Sequence, residues 1–106
     1  MFTRSALFEG RIRPGCEEEF FQIAITDLMP VWHAMPNAMA VRVLRTERAE
    51  DGAPALVLVQ EIDYPSLEAV EQAEASPVRA QGAPVVARMM ELFDGTLRHI
   101  VYRRLS

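Results

Sequence analysis

The sequence contains no lysine; all eleven of its basic residues are arginine. Base-composition bias accounts for this without any functional demand, yet the absence has chemical content. No side-chain amine is present to form a Schiff base or to act as a lysine general base. Cysteine is almost as scarce. Cys16 stands alone, so no internal disulfide can form and a reducing compartment is expected. No apolar run approaches the ~20 residues that span a bilayer. The first ten residues, MFTRSALFEG, hold an arginine with no apolar run behind it, which is not the pattern of a signal peptide. The expected location is the cytoplasm, with no membrane partner. Basic patches are missing as well. The net charge is −4, and the one block of like charge is Glu17-Glu18-Glu19. A nucleic-acid partner would require a basic stripe to neutralise phosphates, so none is expected. There is no glycine-rich phosphate loop, no nucleophile motif and no close pair of histidines. No cofactor and no metal are therefore expected.

What remains is an ordinary globular composition. Half of the 106 residues are hydrophobic and a quarter are charged, and the length suits one domain, 1–106. Residues 2–12, FTRSALFEGRI, alternate, with Ala6, Phe8 and Ile12 on one face and Ser5, Leu7, Glu9 and Arg11 on the other. That is a strand with two unlike faces. Arg13-Pro14-Gly15 breaks it. Three glutamates then offset the positive end of a helix dipole. Phe20, Phe21, Ala24, Ile25, Leu28 and Trp32 recur at three- and four-residue steps, so a helix runs from about Cys16 to about His33. Pro30 is expected to kink it or to end its regular part. Strands over 38–48 and 55–64 flank an Asp51-Gly52 turn, in a loop too long for a tight hairpin.

Tyr64-Pro65 ends the third strand, because proline removes a ladder donor. Ser66 caps a helix with an apolar stripe of Leu67, Val70 and Ala73. Ser76-Pro77 restarts it, and Gly82-Ala83-Pro84 breaks it again. Val85, Val86, Met89, Met90 and Phe93 mark a last helical piece, after which Asp94-Gly95 is expected to turn the chain into a fourth strand over 96–105. The order βαββαβ is the split-βαβ, ferredoxin-like α+β arrangement: a four-stranded antiparallel sheet with helices on one face.

Two helices cover one face of such a sheet. Alternation assigns to it Ala6, Phe8 and Ile12; Met39, Val41 and Val43; Leu56, Leu58 and Ile62; Ile100 and Tyr102. The opposite face receives Ser5, Leu7, Glu9, Arg11, Arg42, Leu44, Val57, Val59, Glu61, Leu97, His99 and Val101. It is too apolar to meet water across its width and too charged for a plain core. Apolar surface with a few convergent polar groups is how small-molecule sites are lined. A second copy of the chain, packed about a twofold axis, is the simplest cover.

A βαββαβ chain near 100 residues, whose third strand runs into YPSLEAVEQAEASP and a broken second helix, resembles the dimeric α+β barrel superfamily. That group includes antibiotic-biosynthesis-monooxygenase-like and EthD-like proteins. The resemblance spans about Thr3 to Arg104 and is strongest at Ser66-Leu67-Glu68-Ala69 and Ser76-Pro77. It implies a homodimer with a pocket in each subunit, between the sheet and the helices or the partner. The superfamily holds cofactor-free oxygenases, isomerases, haem-degrading enzymes and proteins without known activity, and fold does not choose among them. Haem-degrading relatives use a first-strand Asn together with a Trp and a His of the second helical region. Here the first strand has no Asn, and residues 66–93 contain neither Trp nor His. Haem is not expected.

His99, expected mid-strand on the polar face, is the candidate acid or base. With the first strand expected between the third and fourth, Glu9 falls between Glu61 and His99, and the three form a candidate proton-transfer set. The competing reading satisfies His99 at a dimer interface and pairs the carboxylates with Arg11 or Arg42. Trp32 and His33 close the first helix and are candidate ligand contacts, with Trp32 stacking on an aromatic group. Arg42, Arg11 and Tyr64 complete that set. The competing reading makes Trp32 core and His33 a solvated helix end, where the dipole favours a cation.

Two functions follow. The first is a homodimeric enzyme acting on an apolar or aromatic small molecule, by cofactor-free oxygenation or proton-transfer isomerisation. The second is a non-catalytic binding or assembly protein whose polar face is a salt-bridged dimer interface. An open cavity of roughly 300–1,000 Å³ beside His99 would separate them. The same topology serves RNA-binding modules, but the acidic charge and a sheet face without stacking aromatics oppose that use.

Overall fold

A computed structural model describes residues 1–106. The elements follow as β1 (Phe2–Ile12), α1 (Glu17–Ile23), a π-helical turn (Ala24–Leu28), α2 (Met29–His33), β2 (Ala40–Arg45), β3 (Leu56–Tyr64), α3 (Leu67–Glu74), α4 (Pro77–Gln81), α5 (Ala83–Glu91) and β4 (Phe93–Arg103). The strands form one antiparallel sheet in the order β2-β3-β1-β4. This is the ferredoxin-like α+β fold, with β1 between β3 and β4 as expected.

The first helix is continuous from Glu17 to His33 in three pieces. Pro30 lacks an N–H, and its ring crowds the carbonyl one turn earlier. The chain answers with a widened turn over Ala24–Leu28 immediately before it, a feature often found beside functional sites. The serines behave as their positions suggest. Ser66 Oγ accepts from the Ala69 N–H at 3.1 Å and starts α3. Ser76 Oγ accepts from the Val78 N–H at 3.1 Å and starts α4, with Pro77 in the first turn.

The core lies between the sheet and the helices. At one end of it Phe8, Phe20 and Phe93 pack ring against ring, with centroids 5.5–6.2 Å apart. Such pairs add about 0.5–1.5 kcal/mol each beyond the area they bury.

Two strands present different faces from those that alternation suggested. β4 begins at Phe93, and Asp94-Gly95, expected to turn, lie in the ladder opposite Arg11 and Gly10. Burial of Phe93 sets the phase of the strand. Leu97 and His99 follow it onto the helix side, opposite Phe8 and Ala6. Ile100 and Tyr102, expected under the helices, lie on the open face and are exposed. In β3 the register jumps from Leu58 to Leu56 between Phe8 and Glu9. This β-bulge packs Val57, partly buried, against the core and leaves Leu56 opposite Glu9, the reverse of the expectation, because one extra residue inverts every face beyond it. Met39, expected on the helix side, precedes β2 and is exposed.

Candidate functional site

Along β1 the helix-facing residues are Arg4, Ala6, Phe8 and Ile12. Where β1 presents Phe8 and Ile12, the aromatic cluster fills the space beneath the helices. Where it presents Ala6, only a methyl group rises from the sheet, and a cleft of about 520 Å³ remains. The register builds its floor. Gln60 of β3 and His99 of β4 both stand opposite Ala6, so Gln60, Ala6 and His99 form one row across three strands. Arg4 lies one step along β1 on the same face, opposite Ile62. Leu28, Val31, Trp32 and Met35 form one wall. Glu74, Ser76, Arg79, Ala83 and Val86 form the other.

The polar groups of the cleft are few. Arg4 is buried and donates from Nε to a Glu74 carboxylate oxygen at 3.0 Å. Arg79 donates to the Glu74 backbone carbonyl at 3.4 Å. Gln60 is 2 % exposed, and its Nε2 is buried without a protein partner. His99 is exposed at the cleft's open side, yet its imidazole is held down to about 4. Loss of hydration against the cleft is the main cause, followed by the positive charges of Arg4 and Arg79, with Glu74 opposing. The ring is neutral at pH 7, with a free lone pair for a proton, and is a weaker base than an ordinary histidine.

That depression has a consequence for stability. The folded histidine takes up a proton at lower pH than the unfolded one, whose ordinary value is 6.5. Stability fully present above pH 6.5 is therefore lost as the pH falls toward about 4. The melting temperature is expected to fall across this window, and to fall less steeply in His99→Phe. An unchanged slope in that variant would show that other groups dominate.

The proton-transfer set His99, Glu61 and Glu9 is not assembled. His99 faces the helices, whereas both glutamates face away from them. The cause is the phase of β4, which sets His99 opposite Ala6. Glu61 accepts from Arg42 Nε at 3.0 Å and from Ser5 Oγ at 3.5 Å. Arg42 also reaches both oxygens of Asp63, at 2.7 and 2.9 Å. That bond holds the Asp63 carboxyl down to about 2. Glu9 pairs with Arg98 at 2.8 Å, rather than with Arg11 or Arg42. Among the expected ligand contacts, Trp32 lines the cleft. Arg42 lies on the open face, His33 and Arg11 are exposed, and Tyr64 is buried outside the lining. Burial pushes the Tyr64 phenol up. No group of three or more His, Cys, Asp or Glu side chains converges as a metal site would require.

Sequence reasoning missed Arg4, Gln60, Glu74 and Arg79. A usable signal existed for two of them. Arg4 falls on the apolar phase of β1, and Gln60 sits between Leu58 and Ile62 on the apolar phase of β3. A polar residue on the buried phase of a strand requires a partner or a purpose.

The sequence matches no protein-family model, and no curated protein matches it. The structure is similar to solved ones. An EthD family protein from Bacillus halodurans superposes with a TM-score of 0.75 over 99% of each chain, at 19% identity. A DABB family protein with a ferredoxin-like fold, from Mesorhizobium loti, gives 0.72 over 99% of this chain and 97% of that one, at 11% identity. SnoaB, a cofactor-independent oxygenase from Streptomyces nogalater, gives 0.65 over 99% and 93%, at 17% identity. At these identities the shared property is the fold.

Proposed function

We propose that this chain, whose fold is that of the dimeric α+β barrel superfamily, works as a single-domain homodimer that binds an apolar or aromatic small molecule, with His99 as its proton-transfer group. The carrying observation is the cleft of about 520 Å³ beside His99, which falls in the usual range for ligand sites and has their mixture of apolar walls and few polar groups. Trp32 supplies a flat apolar surface on one wall. Neutral His99 takes a proton from the bound molecule. In an isomerisation it returns that proton at another position. In a cofactor-free oxygenation the deprotonated substrate supplies the electrons, and the protein contributes the base and a dry pocket. The oxygenase activity named for SnoaB supports the second branch by analogy of fold.

The open face of the sheet suits a second copy of the chain. Leu44, Ile100 and Tyr102 are exposed there, among the Arg42–Glu61, Arg42–Asp63 and Arg98–Glu9 pairs. Surface ion pairs contribute little by themselves, but they fix register when apolar neighbours are covered. The rival assembly reading has arginines filling the only available space. Arg42 lies on the open face and Arg11 lines no part of the cleft, so neither arginine fills the cleft.

Thermal unfolding with a panel of aromatic, quinol and lactone compounds tests the reading, on protein whose sedimentation should give twice 11.9 kDa. A ligand at a hundredfold excess over its Kd stabilises by about 2.7 kcal/mol. The shift is expected in the wild type and absent in Ala6→Leu, whose larger side chain fills the cleft floor. No shift from any compound in a confirmed dimer would favour the assembly reading.

A further inference from the structure

We infer that the ligand of the cleft carries a carboxylate, held between Gln60 and Arg4, on an apolar body. The inference rests on the cleft being a ligand site and adds the chemistry of what enters. Its first observation is the Nε2 of Gln60, a buried donor without a protein acceptor. Native structures leave few such groups, and each calls for a partner. Gln60 is one of the residues lining the cleft, so a turn of its amide brings this donor to a ligand oxygen.

The second observation is independent. Arg4 is 8 % exposed and uses Nε for Glu74, which leaves the two Nη groups of its planar fork for another acceptor. That fork matches the two oxygens of a carboxylate. Arg4 and Gln60 are diagonal neighbours on β1 and β3, since Gln60 stands opposite Ala6 and Ile62 opposite Arg4. Such positions lie about 7–8 Å apart at the backbone, close enough for two long side chains on one face to reach the same carboxylate. Charge agrees with geometry. The lining holds Arg4 and Arg79 against the single carboxylate of Glu74, so one positive charge is in excess. The other lining groups near this row, including Ile62, Trp32 and Leu97, would meet the apolar body.

Calorimetric titration with 2-naphthoate and 2-methylnaphthalene separates the inference from the reading beneath it. The two probes share a ring system and differ in the carboxylate. The naphthoate is expected to bind at least about tenfold more tightly, the scale of a charge-assisted hydrogen bond. Gln60→Leu, and separately the double variant Arg4→Met with Glu74→Met, should each erase the preference for the naphthoate over 2-methylnaphthalene measured in the same variant. The double variant removes both partners, so neither charge is left buried alone. Equal or tighter binding of 2-methylnaphthalene to the wild type overturns the carboxylate and keeps the cleft. A preference that survives both variants overturns the assignment to Gln60 and Arg4. If neither probe binds, the ligand-site reading falls with it.

Discussion

Alanine at Gly95 is expected to cost about 3 kcal/mol or more, among the larger effects a single substitution produces. Gly10 and Gly95 face each other across the β1–β4 ladder. A Cβ on Gly95 would lie 2.2 Å from the Glu9 carbonyl oxygen and 2.8 Å from the Gly10 Cα. A Cβ on Gly10 would lie 2.3 Å from the Asp94 carbonyl oxygen, and its φ of +148° already disfavours any side chain. The Phe93 ring edge also lies 2.8 Å from the Gly95 position, but the closest clashing atoms are backbone, so no rotamer change relieves them. The strands must separate where Ile12 and Phe93 anchor the end of the sheet. For a domain of this size each kcal/mol lowers the melting temperature by about 4–8 °C. Gly15→Ala is the control, since its φ of +83° is strained but nothing lies within 4 Å. It should cost about 1–2 kcal/mol. A Gly95→Ala protein melting within a few degrees of the wild type would show that the ladder yields far more easily than its close approach implies.

Gln60→Leu should act in the other direction and stabilise the unliganded protein by about 1–3 kcal/mol, the usual penalty of a buried unpaired polar group. Leucine is close in bulk to glutamine, and its neighbours on the sheet, Ala6 and Val43, are apolar. A stabilising substitution at a site proposed to bind ligand is the expected form of a stability–function conflict. Equilibrium denaturation decides the point. If Gln60→Leu were neutral or destabilising, the amide would already have a partner, such as an enclosed water.

The elements and the strand order were legible because they rest on strong local signals: alternation in β1, the Ser66 and Ser76 caps, and Pro65 and Pro77 at the boundaries. The faces of β3 and β4 were not. Asp94-Gly95 carries turn chemistry, yet Gly10 across the ladder makes room for it as strand. The bulge beside Val57 leaves no mark in the residues themselves. Since His99 owes its side of the sheet to the phase of β4, the candidate site inherited the error, and His99 was grouped with Glu61 and Glu9 rather than with Gln60 and Arg4. The open face fared better. Glu61 and Arg42 were expected there and do pair, at 3.0 Å.

The place of β1 between β3 and β4 has a kinetic consequence. Phe2 pairs with Arg103, so the sheet closes only when two distant stretches of chain meet. Topologies rich in such long-range pairs fold slowly, over milliseconds to seconds when they dominate. Until β4 docks, β1 remains an edge strand with unpaired backbone groups, exposed to pairing with other chains. The cleft floor shares that timing, because Gln60 and Ala6 can come together early whereas His99 arrives with the last strand. A folding intermediate lacking β4 would have half a floor, and ligand binding would then mark completion of the sheet.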